Sequence, residues 1–101
     1  MSSMHMQLAK KNLPRTRDDE IIYPNMDIYV LQFDRSIGWQ VFNEDVYSVT
    51  SDGYTYYDRY VGEEFKITVK NAENRSFAYR ENADVWCERL NILNEGIIGN
   101  D

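Results

Sequence analysis

The stretch VYSVTSDGYTYYDRY, residues 46–60, decides the fold. Two β-rich runs, 46–51 and 54–60, flank Asp52-Gly53. Asp-Gly is the preferred pair for a two-residue type I′ hairpin turn, because the twist of that turn matches the strands it joins. Such a loop sets Ser51 opposite Tyr54, Thr50 opposite Thr55, Val49 opposite Tyr56 and Tyr47 opposite Asp58. Side chains alternate along a strand, so Tyr47, Val49, Tyr54 and Tyr56 are expected on the core face. Ser48, Thr50, Thr55, Tyr57 and Arg59 then fall on the solvent face.

The same period of two continues outward in both directions. Residues 27–33 read as an apolar-rich strand, 34–38 as a loop ending on Gly38, and 39–42 as a short strand. Asn43-Glu44-Asp45 is expected to turn the chain into the hairpin. Beyond Gly62, residues 64–70 alternate, with Phe65, Ile67 and Val69 inward and Lys66, Thr68 and Lys70 outward. A three-residue loop, Ala72-Glu73-Asn74, predicts a second hairpin whose return strand pairs Val69 with Phe77 and Ile67 with Tyr79. A helix is predicted over 82–94, with Asn82 as N-cap, Asp84 at its positive end and Gly96 stopping it. At 3.6 residues per turn Ala83, Trp86, Cys87, Leu90 and Leu93 share the face that packs on the sheet. The expected fold is α+β: an antiparallel meander of about five strands with a C-terminal amphipathic helix on one face.

A chain of 101 residues, 43% hydrophobic and 14% aromatic, suits one folded domain and not two. Residues 1–24 read as a basic N-terminal arm and lead-in, expected to be mobile, and 25–101 as a single acidic domain. No apolar run approaches the length of a membrane span or a signal peptide, so an intracellular, cytoplasmic chain without membrane contact is expected. His5 and Cys87 are the sole residues of their types. Those counts exclude His-dependent triads, Cys–His dyads, an internal disulfide and cysteine zinc sites, so no cofactor, no metal and no enzyme activity are expected. Cys87, on the buried helix face, reads as an inert thiol.

Charge is uneven. Residues 1–17 carry Lys10, Lys11, Arg15 and Arg17 with no acid, whereas 18–101 carry seven basic and 17 acidic side chains. An acidic fold repels phosphate backbones and steers toward basic partners. Asp84, Glu88, Asn91 and Glu95 recur at helical spacing as an acidic ridge, and Val85 and Ile92 lie beside it on a face away from Trp86 and Leu90. Five of the eight tyrosines fall between 47 and 60, and Tyr57 with Arg59 offers an aromatic contact on the sheet's outer face.

The segment FKITVKNAENRSFAYRENADVWCERLNIL, residues 65–93, resembles the closing part of a pleckstrin-homology domain: strand, turn, strand, then a helix carrying a buried tryptophan, here Trp86. The family's phosphoinositide site uses basic residues around its first hairpin, where this chain has Asp34 and a lone Arg35. The resemblance therefore implies protein binding in place of lipid-headgroup binding.

These features together predict a small acidic protein-binding module that occupies a basic surface of a protein partner, in the manner of inhibitors, immunity proteins and nucleic-acid mimics. Its expected contact residues are Asp84, Val85, Glu88, Ile92, Glu95, Tyr57 and Arg59. Two alternatives stand beside it. One is a self-associating assembly subunit, a homodimer, using Val85 and Ile92. The other, disfavoured by the charge, is direct nucleic-acid binding through Lys10, Lys11, Arg15 and Arg17.

Overall fold

A computed structural model describes residues 13–99, with side chains described as far as Leu93. The chain is α+β, as expected: strands β1 (Asp27–Asp34), β2 (Gly38–Thr50), β3 (Gly53–Asp58) and β4 (Glu63–Thr68), helix α1 (Val69–Arg75), strand β5 (Ser76–Phe77) and helix α2 (Arg80–Gly99). The five strands form one antiparallel sheet in the order β4-β3-β2-β1-β5.

β2 is the strand that shapes the molecule. Asn43-Glu44-Asp45, expected as a turn, is paired residue by residue with Tyr29, Ile28 and Asp27 of β1, so the two short strands of the sequence reading are one strand of 13 residues. Cross-strand pairing, reinforced by Asn43 Nδ2 donating to the Ile28 carbonyl at 3.2 Å, overrides the turn preference of these polar residues. The first half of β2 pairs with β1 and the last few residues pair with β3.

The β2–β3 hairpin is present but its register differs from the expected one. Thr50 pairs with Gly53 and Val49 with Tyr54, which makes Ser51-Asp52 the turn, with neither residue at positive φ. A bulge between Val46 and Ser48 then places Val46 opposite Tyr56. An extra residue in one strand reverses side-chain parity beyond it. Val46 consequently lies in the core and Tyr47, expected inward, is 67% exposed. Tyr54 and Tyr56 are buried as expected and Tyr57 points outward.

No hairpin follows β4. Thr68 Oγ1 accepts the Asn71 amide at 3.3 Å and caps α1, which buries Ala72 and leads the chain to β5 at the far edge of the sheet. Phe77 therefore pairs with Tyr29 of β1 in place of Val69. The pleckstrin-homology likeness fails at this point, because it rested on β4 and the next strand being hairpin neighbours.

β1 is buried on both faces. Ile28 and Val30 join Ile22, Met26, Val46, Tyr54, Tyr56 and Ala72 in one cluster, while Leu31 joins Phe77 and Ala83 beneath α2. Trp86, Cys87 and Leu90 pack against that second cluster as expected, but Leu93 is 63% exposed. Asn91 takes its place. Its Oδ1 accepts the Trp39 amide at 2.7 Å and its Nδ2 donates to the Trp39 carbonyl at 3.0 Å, so one side chain satisfies both backbone groups of a β2 residue. Asn91→Ala is expected to cost about 2 kcal/mol by urea unfolding, because it strands a donor and an acceptor in a partly buried place.

The lead-in is built into the fold from Pro14. Pro14, Thr16 and Ile22 are buried, Arg15 and Ile21 form a bridge, and the Arg17 amide donates to the Ser76 carbonyl at 2.7 Å. Of the arm and lead-in expected over 1–24, the stretch from Pro14 to Ile22 is thus part of the fold, and the expectation for 1–12, including Lys10 and Lys11, lies outside the described residues. α2 starts at Arg80, two residues earlier than expected, and its start is held by Asp18 and not by Asn82. The Asp18 carboxylate accepts the Ala78 and Tyr79 amides at 2.9 and 3.1 Å and Asn82 Nδ2 at 3.1 Å.

Candidate functional site

The residues singled out on α2 do not make one surface. Asp84 faces Arg80 at 3.8 Å, Glu88 is exposed, Asn91 is turned to Trp39, and the Glu95 side chain lies outside the described set. The ridge is therefore a row of separate acids broken by an inward amide. Val85 and Ile92 are exposed, at 49% and 59%, as an outward apolar pair. Of the basic residues, Arg15 meets Asp19 at 3.3 Å and Arg17 lies 3.7 Å above the centre of the Trp86 ring while donating to the Asn74 carbonyl. Both make contacts within the fold, Arg15 with a surface carboxylate and Arg17 with an aromatic face.

Tyr57 and Arg59 have different company. The outer end of the β2–β3 pair forms an open cleft of about 520 Å³ where Glu44, Asp45 and Asp58 meet Tyr47, Tyr57 and Tyr60. Arg59 is the one cation of its lining, 4.0 Å from Asp45. Next to the cleft, Asp27 and Asp45 stand opposite each other in the β1–β2 register. Like charges directly across a strand pair are destabilising.

The protonation equilibria record that conflict. A hydrogen bond shared with Asp45, with desolvation and the Asp45 charge behind it, raises the Asp27 carboxyl above its ordinary value. Burial raises Glu44, and the charges of Asp58 and Asp45 raise it further against a lowering by Arg59. A carboxylate held where its charge is disfavoured gains from an incoming cation. The tyrosine walls add faces on which an ammonium or guanidinium group can rest. Among the described residues no group of three or more His, Cys, Asp and Glu side chains is arranged to hold a metal ion.

Sequence reasoning named Tyr57 and Arg59 but missed Glu44, Asp45, Asp58 and Tyr47. Glu44 and Asp45 have the composition of a turn, and a register without a bulge puts Tyr47 in the core. Asp27 carried no local signal at all, since its role comes from pairing with a residue 18 positions later. Cys87 donates to the Trp39 carbonyl at 3.3 Å, and burial, with the Asp84 charge, raises its thiol, which disfavours the reactive thiolate. No helix among the described residues is long and apolar enough to cross a membrane. No family model matches this chain, and neither a curated protein nor a solved structure matches it.

Proposed function

We propose that the protein is a small acidic protein-binding module, of the inhibitor or immunity-protein type, that engages lysine and arginine side chains of a basic partner at the cleft between β2 and β3. The observation that carries this reading is a crowd of carboxylates with Arg59 as the one cation among them: Asp27 against Asp45, and Glu44 near Asp58, bordered by Tyr47, Tyr57 and Tyr60. A fold keeps like charges together at a cost in stability where they serve recognition. The overall net charge of −6 supplies long-range attraction toward such a partner.

Neutralising Glu44 and Asp45 together, as Glu44→Gln with Asp45→Asn, tests it. The double variant is expected to unfold at the same or a slightly higher urea concentration than the parent. It is also expected to lose most of the basic proteins that the parent captures from a native lysate at low salt. For a captured partner, raising salt from about 50 to 500 mM should slow association far more than it speeds dissociation. Capture unchanged by the double substitution removes the cleft as the interface. The rival reading, self-association through Val85 and Ile92, has the exposure of that pair in its favour. A dimer by light scattering that Val85→Asp dissociates would favour it.

A further inference from the structure

A second cavity lies on the opposite side of the β3 strand. β1 and β4 are not hydrogen-bonded neighbours, yet Ile28 and Val30 share a core cluster with Tyr54 and Tyr56, against which Phe65 and Ile67 pack, and β1, β3, β4 and α1 all line one space. The cavity holds about 340 Å³, within the range of roughly 300 to 1,000 Å³ typical of small-molecule sites. Its walls are Phe33 from β1, Tyr56 from β3, and Phe65 and Ile67 from β4. Tyr56 and Phe65 stack with ring centres 5.7 Å apart, and Gln32 Nε2 donates to the Tyr56 hydroxyl at 2.6 Å, which fixes the aromatic wall in place. Phe33 remains 48% exposed, an aromatic face that the fold itself leaves wet.

Polar groups occupy the two ends. Arg75 and Asn71 of α1 lie at one, where Ile67 pairs with Tyr54. Asp58 lies at the other, opposite Glu63, and one of its oxygens already accepts the Tyr60 and Val61 amides at 2.9 and 3.2 Å. Among the described residues Arg75 has no carboxylate at ion-pair distance; the pairs present are Arg15–Asp19, Arg59–Asp45 and Arg80–Asp84. Its guanidinium lies 5.5 Å from the centre of the Trp39 ring. An unpaired arginine at the mouth of an apolar cavity offers two parallel N–H donors to a planar or tetrahedral anion.

We propose that this cavity binds a small amphipathic anion, an aromatic or aliphatic body lying between Phe33 and Phe65 with a carboxylate, sulfonate or phosphate on Arg75. The cavity shares Asp58 with the acidic cleft, but Arg75 and Ile67 line the cavity alone and Glu44 and Asp45 the cleft alone, so different substitutions test the two proposals. The charge of the cleft repels such a ligand, while Arg75 selects for it.

The probe is 8-anilinonaphthalene-1-sulfonate, an aromatic body with one anionic group, titrated into the intact protein and followed by its emission. The expected result is saturable one-to-one binding, weakened about tenfold by Arg75→Gln and abolished by Ile67→Trp, which fills the cavity. N-phenyl-1-naphthylamine, the uncharged counterpart, is expected to bind more weakly and to be indifferent to Arg75→Gln. Amide resonances of residues in β1, β4 and α1 should shift with the sulfonate, and those around Tyr47 and Tyr60 should not. Circular dichroism of each variant checks that the fold persists. The proposal is overturned by the absence of saturable binding to the folded protein, or by binding that both substitutions leave unchanged.

Discussion

Replacing Asp18 with alanine is expected to lower the unfolding free energy by about 3 kcal/mol, as measured by urea denaturation at neutral pH. The residue looks like an ordinary surface acid in the sequence, yet its carboxylate is the joint between the lead-in and α2. It accepts Thr16 Oγ1 at 2.6 Å, the Ala78 amide at 2.9 Å, the Tyr79 amide at 3.1 Å and Asn82 Nδ2 at 3.1 Å. Two of these are backbone donors at the start of a helix, where intrahelical partners are missing and the positive end of the dipole favours an anion. Asp18→Asn keeps one acceptor oxygen without the charge and is expected to cost less than the alanine change.

The same carboxylate sets a pH signature. Burial raises its pKa, but the hydrogen bonds from Thr16, Ala78, Asn82 and Tyr79 outweigh that and hold it below the ordinary aspartate value. A group whose folded pKa is depressed adds stability above its unfolded pKa, near 3.9, and that stability is lost as pH falls through the folded value. Glu44 acts with the opposite sign. Its folded pKa is raised, so its charged form is a liability that protonation relieves as pH drops from neutral. Urea midpoints are therefore expected to hold or rise slightly on acidification toward pH 5 and to fall below pH 4. Asp18→Asn should flatten the acid limb alone. An unchanged limb would mean that other carboxylates control acid unfolding.

Gly53→Ala should be at least as damaging, with an expected loss of about 3 kcal/mol or more. Gly53 opens β3 at φ +146°, a backbone conformation that side chains rarely adopt and that by itself costs roughly 1 to 3 kcal/mol. Space is the larger obstacle. A Cβ there would lie 1.9 Å from the Ile67 carbonyl oxygen, a backbone atom of β4 that moves only if the β3–β4 ladder opens. Gly62 is the control: it too has positive φ, at +75°, but the nearest atom to a Cβ is the Tyr57 hydroxyl at 3.8 Å. Gly62→Ala is expected to cost about 1 kcal/mol, the conformational part alone. Equal effects at the two positions would show that crowding against β4 is not what requires glycine at Gly53.

The behaviour of Gly53 also shows how a correct local signal yields a wrong register. Asp-Gly marked the hairpin, and the hairpin is there. The glycine, however, serves the close approach of β4, and the turn moves one residue upstream to Ser51-Asp52. The slip is then absorbed by the bulge at Val46/Ser48, which exchanges Val46 for Tyr47 in the core. Nothing within residues 46–60 encodes the contact with Ile67 that selects this arrangement.

By itself, the amino-acid sequence determined the class of fold, the position of the β2–β3 hairpin, the alternation of Phe65 and Ile67, and the helix face through Ala83, Trp86, Cys87 and Leu90. Each of these follows from a period of two or 3.6 residues acting over a short stretch, where burial of one face is the dominant free energy. Only the tertiary structure decided that β2 runs unbroken through Asn43-Glu44-Asp45 and that α1 replaces a second hairpin. It alone decided that Asp18 holds a helix some 60 residues away, Asn91 satisfies Trp39, and Asp27 and Asp45 face each other beside the cleft. The physical reason is common to all of them. Turn, cap and surface preferences of Asp, Asn and Gly amount to about 1 kcal/mol, and a hydrogen bond or a packed contact from a distant strand is enough to outweigh them.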